Sequence, residues 1–198
     1  ATHVCVDAGL VLKMPDTYDF MMGAATMETL ATVMVNLVIE GRAKAGETVM
    51  VHAGCSGVGT MAIKVATLLG MRSFVSVGSE EKLQLARKIG ATDGVVRHNE
   101  NFADYAKTWT DGRGFDIILD PVGGGYLANN QSALATDGRL VLIGMMGGRY
   151  DQIDFGRLLM KRQRLIGSTL RSRSLSFKQT LVKLIEDKCG RALYLNQL

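Results

Sequence analysis

The chain has 198 residues, of which 47% are hydrophobic and 21% are charged, so it can bury the core of one globular domain. Its three cysteines, Cys5, Cys55 and Cys189, are odd in number and far apart. This argues against a disulfide framework or a close-spaced zinc site and favours a reducing compartment such as the cytoplasm. The net charge of +4 is typical of a mildly basic solvated surface, with an anionic ligand or nucleic acid as the alternatives.

Membrane insertion and secretion are not predicted. No apolar run reaches the roughly 18–20 residues of a membrane span; the longest, at 33–39, contains Asn36. The N-terminus lacks the basic and apolar regions of a signal peptide.

The first residues differ from the rest of the chain. Residues 1–13 predict a strand or extended segment that ends in a turn at Pro15, and residues 23–40 predict one long helix. Because these elements stand outside the regular alternation of strands and helices that follows, we interpret residues 1–22 as the end of a preceding domain. We assign 23–188 to the main domain and leave 189–198 as an unassigned tail.

From residue 49 onward, apolar strand candidates alternate with amphipathic helix candidates. The strands are predicted at 49–52, 73–77, 94–97, 115–120, 139–143 and 164–169. The helices are predicted at 58–69, 80–89, 102–110, 126–135, 155–162 and 176–188. This alternation, with continuous apolar strands, predicts an α/β Rossmann fold: a doubly wound, parallel, six-stranded sheet with helices on both faces.

The glycine-rich segment at 53–59 follows the first strand and opens a helix, as a phosphate-binding loop requires. Gly54 and Gly57 are expected to adopt backbone angles closed to other residues, and Gly59 to let the helix pack closely. The helix N-terminus would direct free N–H groups at a pyrophosphate. Ser56 replaces the middle glycine of the G-x-G-x-x-G pattern, so a glycine-rich turn without a ligand is the alternative.

The end of the second strand favours NADPH over NADH. In NAD-binding proteins an acidic residue about 20 positions past the glycines contacts the ribose, but residues 77–79 hold no acid. Gly78, the hydroxyl of Ser79 and the nearby Lys82 suit a 2′-phosphate, and Arg97 could add a second positive charge. The alternative is that Lys82 and Arg97 are solvated surface residues, and the two glutamates after Ser79 count against the phosphate.

Several motifs resemble those of the medium-chain dehydrogenase/reductase family: HAGCSGVG (52–59), GSEEK (78–82), ILDPVGG (118–124) and LIGMMGG (142–148). The segment GSTLRSRS (167–174) is similar to the zinc-independent quinone-oxidoreductase, or zeta-crystallin-like, branch. That branch favours A-x-x-G/S-x-x-G, so the serine in the loop matches it.

The resemblance implies a role for each matching position. Thr32 would face the cofactor, Gly57 and Val58 the pyrophosphate, and Ser79 and Lys82 the 2′-phosphate. The complete set of implied cofactor-binding residues is Thr32, Gly54, Ser56, Gly57, Val58, Gly59, Gly78, Ser79, Lys82, Arg97, Ile143, Gly144, Met145, Met146, Leu170 and Arg171. Arg97 departs from the family, which often has Tyr there. The last strand would pair across a homodimer.

The function that the resemblance implies is hydride transfer from NADPH to a quinone or related electrophile, without a metal. The helix that contains Glu28 has no Cys or His where zinc-dependent relatives carry a ligand. Because residues 1–22 match only the end of the catalytic domain, we expect no complete active site in this chain and name no catalytic residue. The alternatives are an enoyl-thioester or alkenal reductase, and a non-catalytic nucleotide-binding or RNA-binding module supported by basic residues at 157–178.

Three other side chains near these motifs allow an interpretation. Cys55, at a helix N-terminus, has either a lowered thiol pKa or no role beyond that of a small loop residue. His52 and Asp120, each at the end of a buried strand, are interpreted as structural hydrogen-bonding residues, with a role in the site as the alternative for Asp120.

Overall fold

The computed structural model describes residues 2–198 and shows one sheet of six parallel strands in the order β3-β2-β1-β4-β5-β6; Ala1 lies outside the described residues. The strands are β1 (Thr48–His52), β2 (Arg72–Val77), β3 (Asp93–Val96), β4 (Phe115–Asp120), β5 (Leu134–Leu142) and β6 (Arg164–Gly167). The main helices are α1 (Phe20–Val33), α2 (Gly57–Leu68), α3 (Glu80–Lys88), α4 (Phe102–Trp109), α5 (Leu127–Ala133), α6 (Phe155–Met160) and α7 (Leu175–Tyr194). The predicted doubly wound sheet is confirmed.

Both faces of the sheet are covered because successive side chains of each strand point to opposite sides. In β1, Val49 and Val51 pack against α1, α2 and α7. Met50 packs on the other face in a cluster that contains residues of α4 and α5. Every residue of β1 is therefore buried, which explains why the strand is a continuous apolar run.

The helix at the start of the chain begins earlier than predicted. Asp19 caps α1 by accepting a hydrogen bond from the Met22 amide at 2.7 Å, so the helix starts at Phe20 and crosses the predicted boundary between residues 22 and 23. Its continuation, Met34–Glu40, is a π-helix. Of the strand or extended segment predicted at 1–13, the described residues form no strand. Asp7 and Val11 are extended, and between them Asp7 caps a 3₁₀ turn at Ala8–Leu10 by accepting from the Gly9 amide at 2.8 Å.

By length and composition, the helical stretch Phe20–Glu40 is long and apolar enough to cross a membrane, contrary to the expectation that no such run exists. A core helix of a globular protein passes the same test. Leu30, Val33, Met34 and Leu37 of this stretch are fully buried in the core between α1, α2 and α7.

The C-terminal segment packs against this core, and the predicted end of the last helix at residue 188 is wrong. Helix α7 continues to Tyr194 because its apolar face continues: Cys189, Leu193 and Leu198 are buried in the same cluster as α1. The Tyr18 hydroxyl donates a hydrogen bond to the Leu198 carbonyl oxygen at 3.0 Å. The division of the chain at residues 22 and 188 stays a prediction.

The packing of the tail predicts that Leu193→Ala lowers the free energy of unfolding by about 2–5 kcal/mol, because it leaves a cavity in the core. Tyr194→Ala is the matched control, since the Tyr194 side chain is exposed and its removal should change stability by less than about 0.5 kcal/mol. Urea unfolding followed by circular dichroism measures both. Equal effects of the two substitutions would show that the tail does not pack as described.

Candidate functional site

The loop between β1 and α2 is held by its own hydrogen bonds. Ser56 is the N-cap of α2, and its hydroxyl accepts from the Gly59 amide at 3.1 Å. The Ser56 amide donates to the Ala53 carbonyl oxygen at 2.8 Å. Serine is therefore well suited to the position where the G-x-G-x-x-G pattern has glycine.

The two glycines predicted to need unusual backbone angles do not have them. The left-handed residue of the loop is Ala53, with a φ of +53°, so the expectation for Gly54 and Gly57 is wrong. Gly54 is needed for space instead, since a Cβ there would lie 2.6 Å from Cβ of Val75. The expectation for Gly59 is supported, because its Cβ would lie 2.4 Å from the Ala53 carbonyl oxygen.

A cleft of about 520 Å³ opens at the carboxyl ends of β1 and β4. Helix α2, which follows β1, packs on one face of the sheet, and α5, which follows β4, packs on the other. The chain therefore leaves these neighbouring strands in opposite directions, an arrangement that places ligands in the crevice between them. Nine of the sixteen predicted residues line this cleft: Thr32, Ser56, Val58, Gly59, Ile143, Gly144, Met146, Leu170 and Arg171.

The predicted 2′-phosphate residues lie apart from this cleft, at the carboxyl ends of β2 and β3. Ser79 caps α3 by accepting from the Lys82 amide at 3.4 Å. Arg97 lines a second cleft of about 320 Å³, and a Cβ on Gly78 would lie 3.8 Å from Nη2 of Arg97. Gly78, at the end of β2, therefore lies close to Arg97, at the end of β3, and the Ser79–Lys82 turn directly follows Gly78.

Three other predicted residues do not line the cleft. Gly54 is buried behind the loop against Val75, Gly57 faces Thr29, and Met145 is largely exposed.

Nine residues that line the cleft were not in the predicted set: Glu28, Asn36, Val51, His52, Ala53, Leu119, Pro121, Ser168 and Thr169. Several of them lie at or just after the ends of β1, β4 and β6, where the rule for open parallel sheets places ligands. Glu28 and Asn36 are each four residues from Thr32, a spacing that places them on the same face of the helix.

A buried polar network supports the strand ends below the cleft. His52 is 1% exposed, and its Nε2 lies 2.8 Å from Oδ1 of Asn130 while its Nδ1 lies 2.9 Å from the Ser76 hydroxyl. Nδ2 of Asn130 donates to Asp120 at 2.9 Å, so the amide oxygen accepts from His52. The other oxygen of Asp120 accepts from the Val122 amide at 2.6 Å. The structural interpretation of His52 and Asp120 agrees with these bonds.

Burial lowers the pKa of His52, although Asp120 and the bond to Asn130 act in the opposite direction. A neutral imidazole fits this network, with Nε2–H donating to Asn130 and Nδ1 accepting from Ser76. Of the two interpretations of Cys55, the lowered pKa is wrong: burial raises the pKa of this thiol, against the opposing effect of Lys82. Sγ of Cys55 donates to the Lys82 carbonyl oxygen at 3.0 Å.

Most of the basic residues at 157–178 form ion pairs or hydrogen bonds within the domain. Arg157 pairs with Asp154, Arg162 with Asp137, and Arg173 with Glu40. The ammonium group of Lys161 donates to the Leu134 carbonyl oxygen at 2.8 Å, and that of Lys178 to the Arg171 carbonyl oxygen at 3.0 Å. This pairing disfavours the RNA-binding alternative, which needs a continuous unpaired basic surface.

Within residues 2–198, no group of three or more His, Cys, Asp or Glu side chains is placed to hold a metal ion. The metal-free mechanism stays a prediction. The three cysteines are all free.

Comparisons with known proteins show which family this chain resembles. A family model described as zinc-binding dehydrogenase matches residues 57–187. The chain is 34% identical over 135 residues to a quinone oxidoreductase of Rattus norvegicus; the alignment covers 68% of this chain and 41% of that protein. It is 35% identical over 147 residues to a lovastatin diketide synthase of Aspergillus terreus; this alignment covers 73% of this chain and 6% of the synthase.

A solved structure has the same fold. The quinone oxidoreductase of Thermus thermophilus, also described in its complex with NADPH, superposes with a TM-score of 0.77 at 28% identity. The alignment covers 94% of this chain and 57% of that one. The chain therefore spans less than two thirds of the length of each of these three proteins.

The His52 network predicts that stability falls as the pH is lowered below about 6.5, the ordinary pKa of histidine. In this range the unfolded chain binds a proton that the folded chain excludes, so acid favours unfolding. His52→Gln should flatten this pH dependence because glutamine does not titrate, while His3→Gln, at an exposed position, should leave it unchanged. The free energy of unfolding, measured in urea from pH 5 to pH 8, checks this. Parallel pH profiles for His52→Gln and the unaltered chain would contradict it.

Proposed function

Because this chain belongs to the zinc-binding dehydrogenase family, in its quinone-oxidoreductase-like branch, we propose that it is the NADPH-binding domain of an oxidoreductase. The proposed reaction is hydride transfer from NADPH to a quinone or a related electrophile. The observation that carries this proposal is the cleft at the carboxyl ends of β1 and β4, with the capped loop and the start of α2 at its edge.

The residues at the loop fit a pyrophosphate. The amides of Gly57 and Val58, in the first turn of α2, have no intrahelical partner by position, and the positive end of the helix dipole attracts an anion. A side chain on Gly59 would meet the loop backbone, so the close approach of loop and helix depends on glycine. Ser56 holds the loop shape through its bond to the Gly59 amide.

The remainder of the cleft is suited to an aromatic ring. Val51, Leu119, Ile143 and Leu170 give it an apolar lining, which excludes water from the reacting atoms. When it is bound, the nicotinamide supplies the hydride. The chain's own residues bind and orient it, with Thr32 on the α1 side and Ile143–Met146 on the β5 side.

Selection of NADPH is assigned to Ser79, Lys82 and Arg97. Lys82 and Arg97 are both exposed, and within residues 2–198 neither makes an ion pair with an acidic side chain. Their charges are therefore available to a phosphate, and a charged hydrogen bond to phosphate is stronger than a neutral one.

A homodimer through the last strand is also part of the proposal. Strand β6 is at the edge of the sheet, where its outer backbone groups can pair with another strand. The neighbouring helix α6 exposes Phe155, Leu159 and Met160, and a second copy would cover this apolar surface.

An enoyl-thioester reductase is the second candidate. It is favoured by the 35% identity to the lovastatin diketide synthase. Both candidates need the same cofactor cleft and hydride transfer, so they differ in the acceptor, either a quinone or the activated alkene of a thioester. Comparing turnover of quinones and enoyl thioesters in a protein that includes this domain distinguishes them.

The assignment of the 2′-phosphate predicts that this chain binds NADPH at least tenfold more tightly than NADH, and that Lys82→Ala removes most of the difference. Loss of one charged hydrogen bond weakens binding by about 1.5–3 kcal/mol. Lys88→Ala is the matched control, because Lys88 is an exposed lysine in the last turn of the same helix. Isothermal titration calorimetry of the unaltered chain and the two variants with both cofactors gives the six affinities.

Two results would contradict parts of this account. Equal binding of NADH and NADPH to the unaltered chain would remove the phosphate assignment but leave the dinucleotide site in place. No binding of either cofactor would reject the proposed function for this chain.

A further inference from the structure

Three buried polar side-chain atoms within residues 2–198 have no hydrogen-bond partner: Asn36 Oδ1, Ser73 Oγ and Ser168 Oγ. Asn36 and Ser168 both line the cleft at the ends of β1 and β4, although 132 positions separate them in the sequence. Buried polar groups are nearly always satisfied by protein, water or a ligand. Two unsatisfied oxygens at one cleft therefore point to a polar group of the ligand.

The side chain of Asn36 is oriented by a neighbouring backbone group. It is 4% exposed, and its Nδ2 donates to the Thr32 carbonyl oxygen at 2.7 Å. The amide cannot reverse without losing this bond, so Oδ1 is the atom that needs a donor. Asn36 lies in the π-helix Met34–Glu40, where the Gly41 amide donates to the Asn36 carbonyl oxygen at 3.0 Å; π-helical turns are frequent at functional sites.

Ser168 lines the same cleft from another part of the fold. It directly follows β6, and its amide donates to the Leu142 carbonyl oxygen at 3.0 Å, which fixes its backbone beside the end of β5. A serine hydroxyl can donate and accept, and it can rotate between staggered positions. Together the two residues offer one acceptor, on Asn36, and one adaptable donor, on Ser168.

We propose that Asn36 and Ser168 are positioning residues that orient the carboxamide of the nicotinamide ring. Asn36 Oδ1 accepts a hydrogen bond from the carboxamide –NH2, and the Ser168 hydroxyl donates to the carboxamide oxygen. A primary carboxamide matches this pair because it carries a donor and an acceptor on one planar group. Fixing it sets the ring against the apolar side chains of Val51, Leu119 and Ile143. This inference rests on the proposed function.

Calorimetric titrations of the chain with three ligands separate the contribution of the carboxamide contact from that of the rest of the dinucleotide. The ligands are NADP⁺, its 3-acetylpyridine analogue, in which a methyl group replaces –NH2, and adenosine 2′,5′-bisphosphate, which lacks the nicotinamide. The unaltered chain should bind NADP⁺ about tenfold more tightly than the analogue, because the analogue leaves Asn36 Oδ1 unpaired. Asn36→Leu should remove this difference and leave the affinity for the bisphosphate unchanged.

Ser168→Ala should weaken binding of NADP⁺ and of the analogue by the same factor, about fivefold to tenfold, because both ligands keep the carbonyl oxygen. Ser73→Ala is the matched control. Its hydroxyl is also buried without a partner, but it lies on β2 and does not line the cleft, so all three affinities should be unchanged.

The outcomes are distinguishable. If the bisphosphate binds and the unaltered chain does not distinguish NADP⁺ from the analogue, the inference is overturned even when Asn36→Leu fails to fold. A preference for NADP⁺ that persists in Asn36→Leu also overturns it and leaves Asn36 with a purely structural role. If none of the three ligands binds, the proposed function itself fails, and this inference fails with it.

Discussion

The candidate site depends on one topological constraint: two neighbouring parallel strands send the chain to opposite faces of the sheet. Side chains of β1 alternate between two cores, so α2 packs beside Val49 and Val51 while α5 packs on the side of Met50. No connection then crosses the gap between the ends of β1 and β4. The loop at 53–56 and the ends of β5 and β6 surround this gap, which is why residues distant in the sequence line one cleft.

The polar network below the cleft fixes the shape of this gap. His52, Ser76, Asn130 and Asp120 link β1, β2, α5 and β4 through hydrogen bonds of 2.8–2.9 Å. Because these groups are buried and mutually paired, changing one partner leaves another unsatisfied. The strand ends beside the loop at 53–56 are thereby held in one arrangement before any ligand binds, which reduces the ordering that binding requires.

The fold could be predicted from the sequence because parallel strands buried on both faces are continuous apolar runs between amphipathic helices. Element ends were less predictable: Phe115 pairs with Leu134 at an irregularity in β4, so β5 starts five residues before position 139. In the loop, the glycine pattern could not show that Ala53 has the left-handed backbone, since this conformation is usually taken by glycine. Asn36 was missed because an asparagine in an apolar helix predicts nothing until its neighbours are known.

The central claim is that a dinucleotide binds across the carboxyl ends of these strands. Hydrogen–deuterium exchange of the chain with and without NADPH tests it most directly, since the loop and helix-end amides would become hydrogen-bonded or covered. The account predicts slower exchange at 53–60, 78–82, 143–146 and 168–171, and unchanged exchange at 183–188 of α7, which do not line the cleft. Protection confined to other segments, or no change at a saturating NADPH concentration, would contradict it.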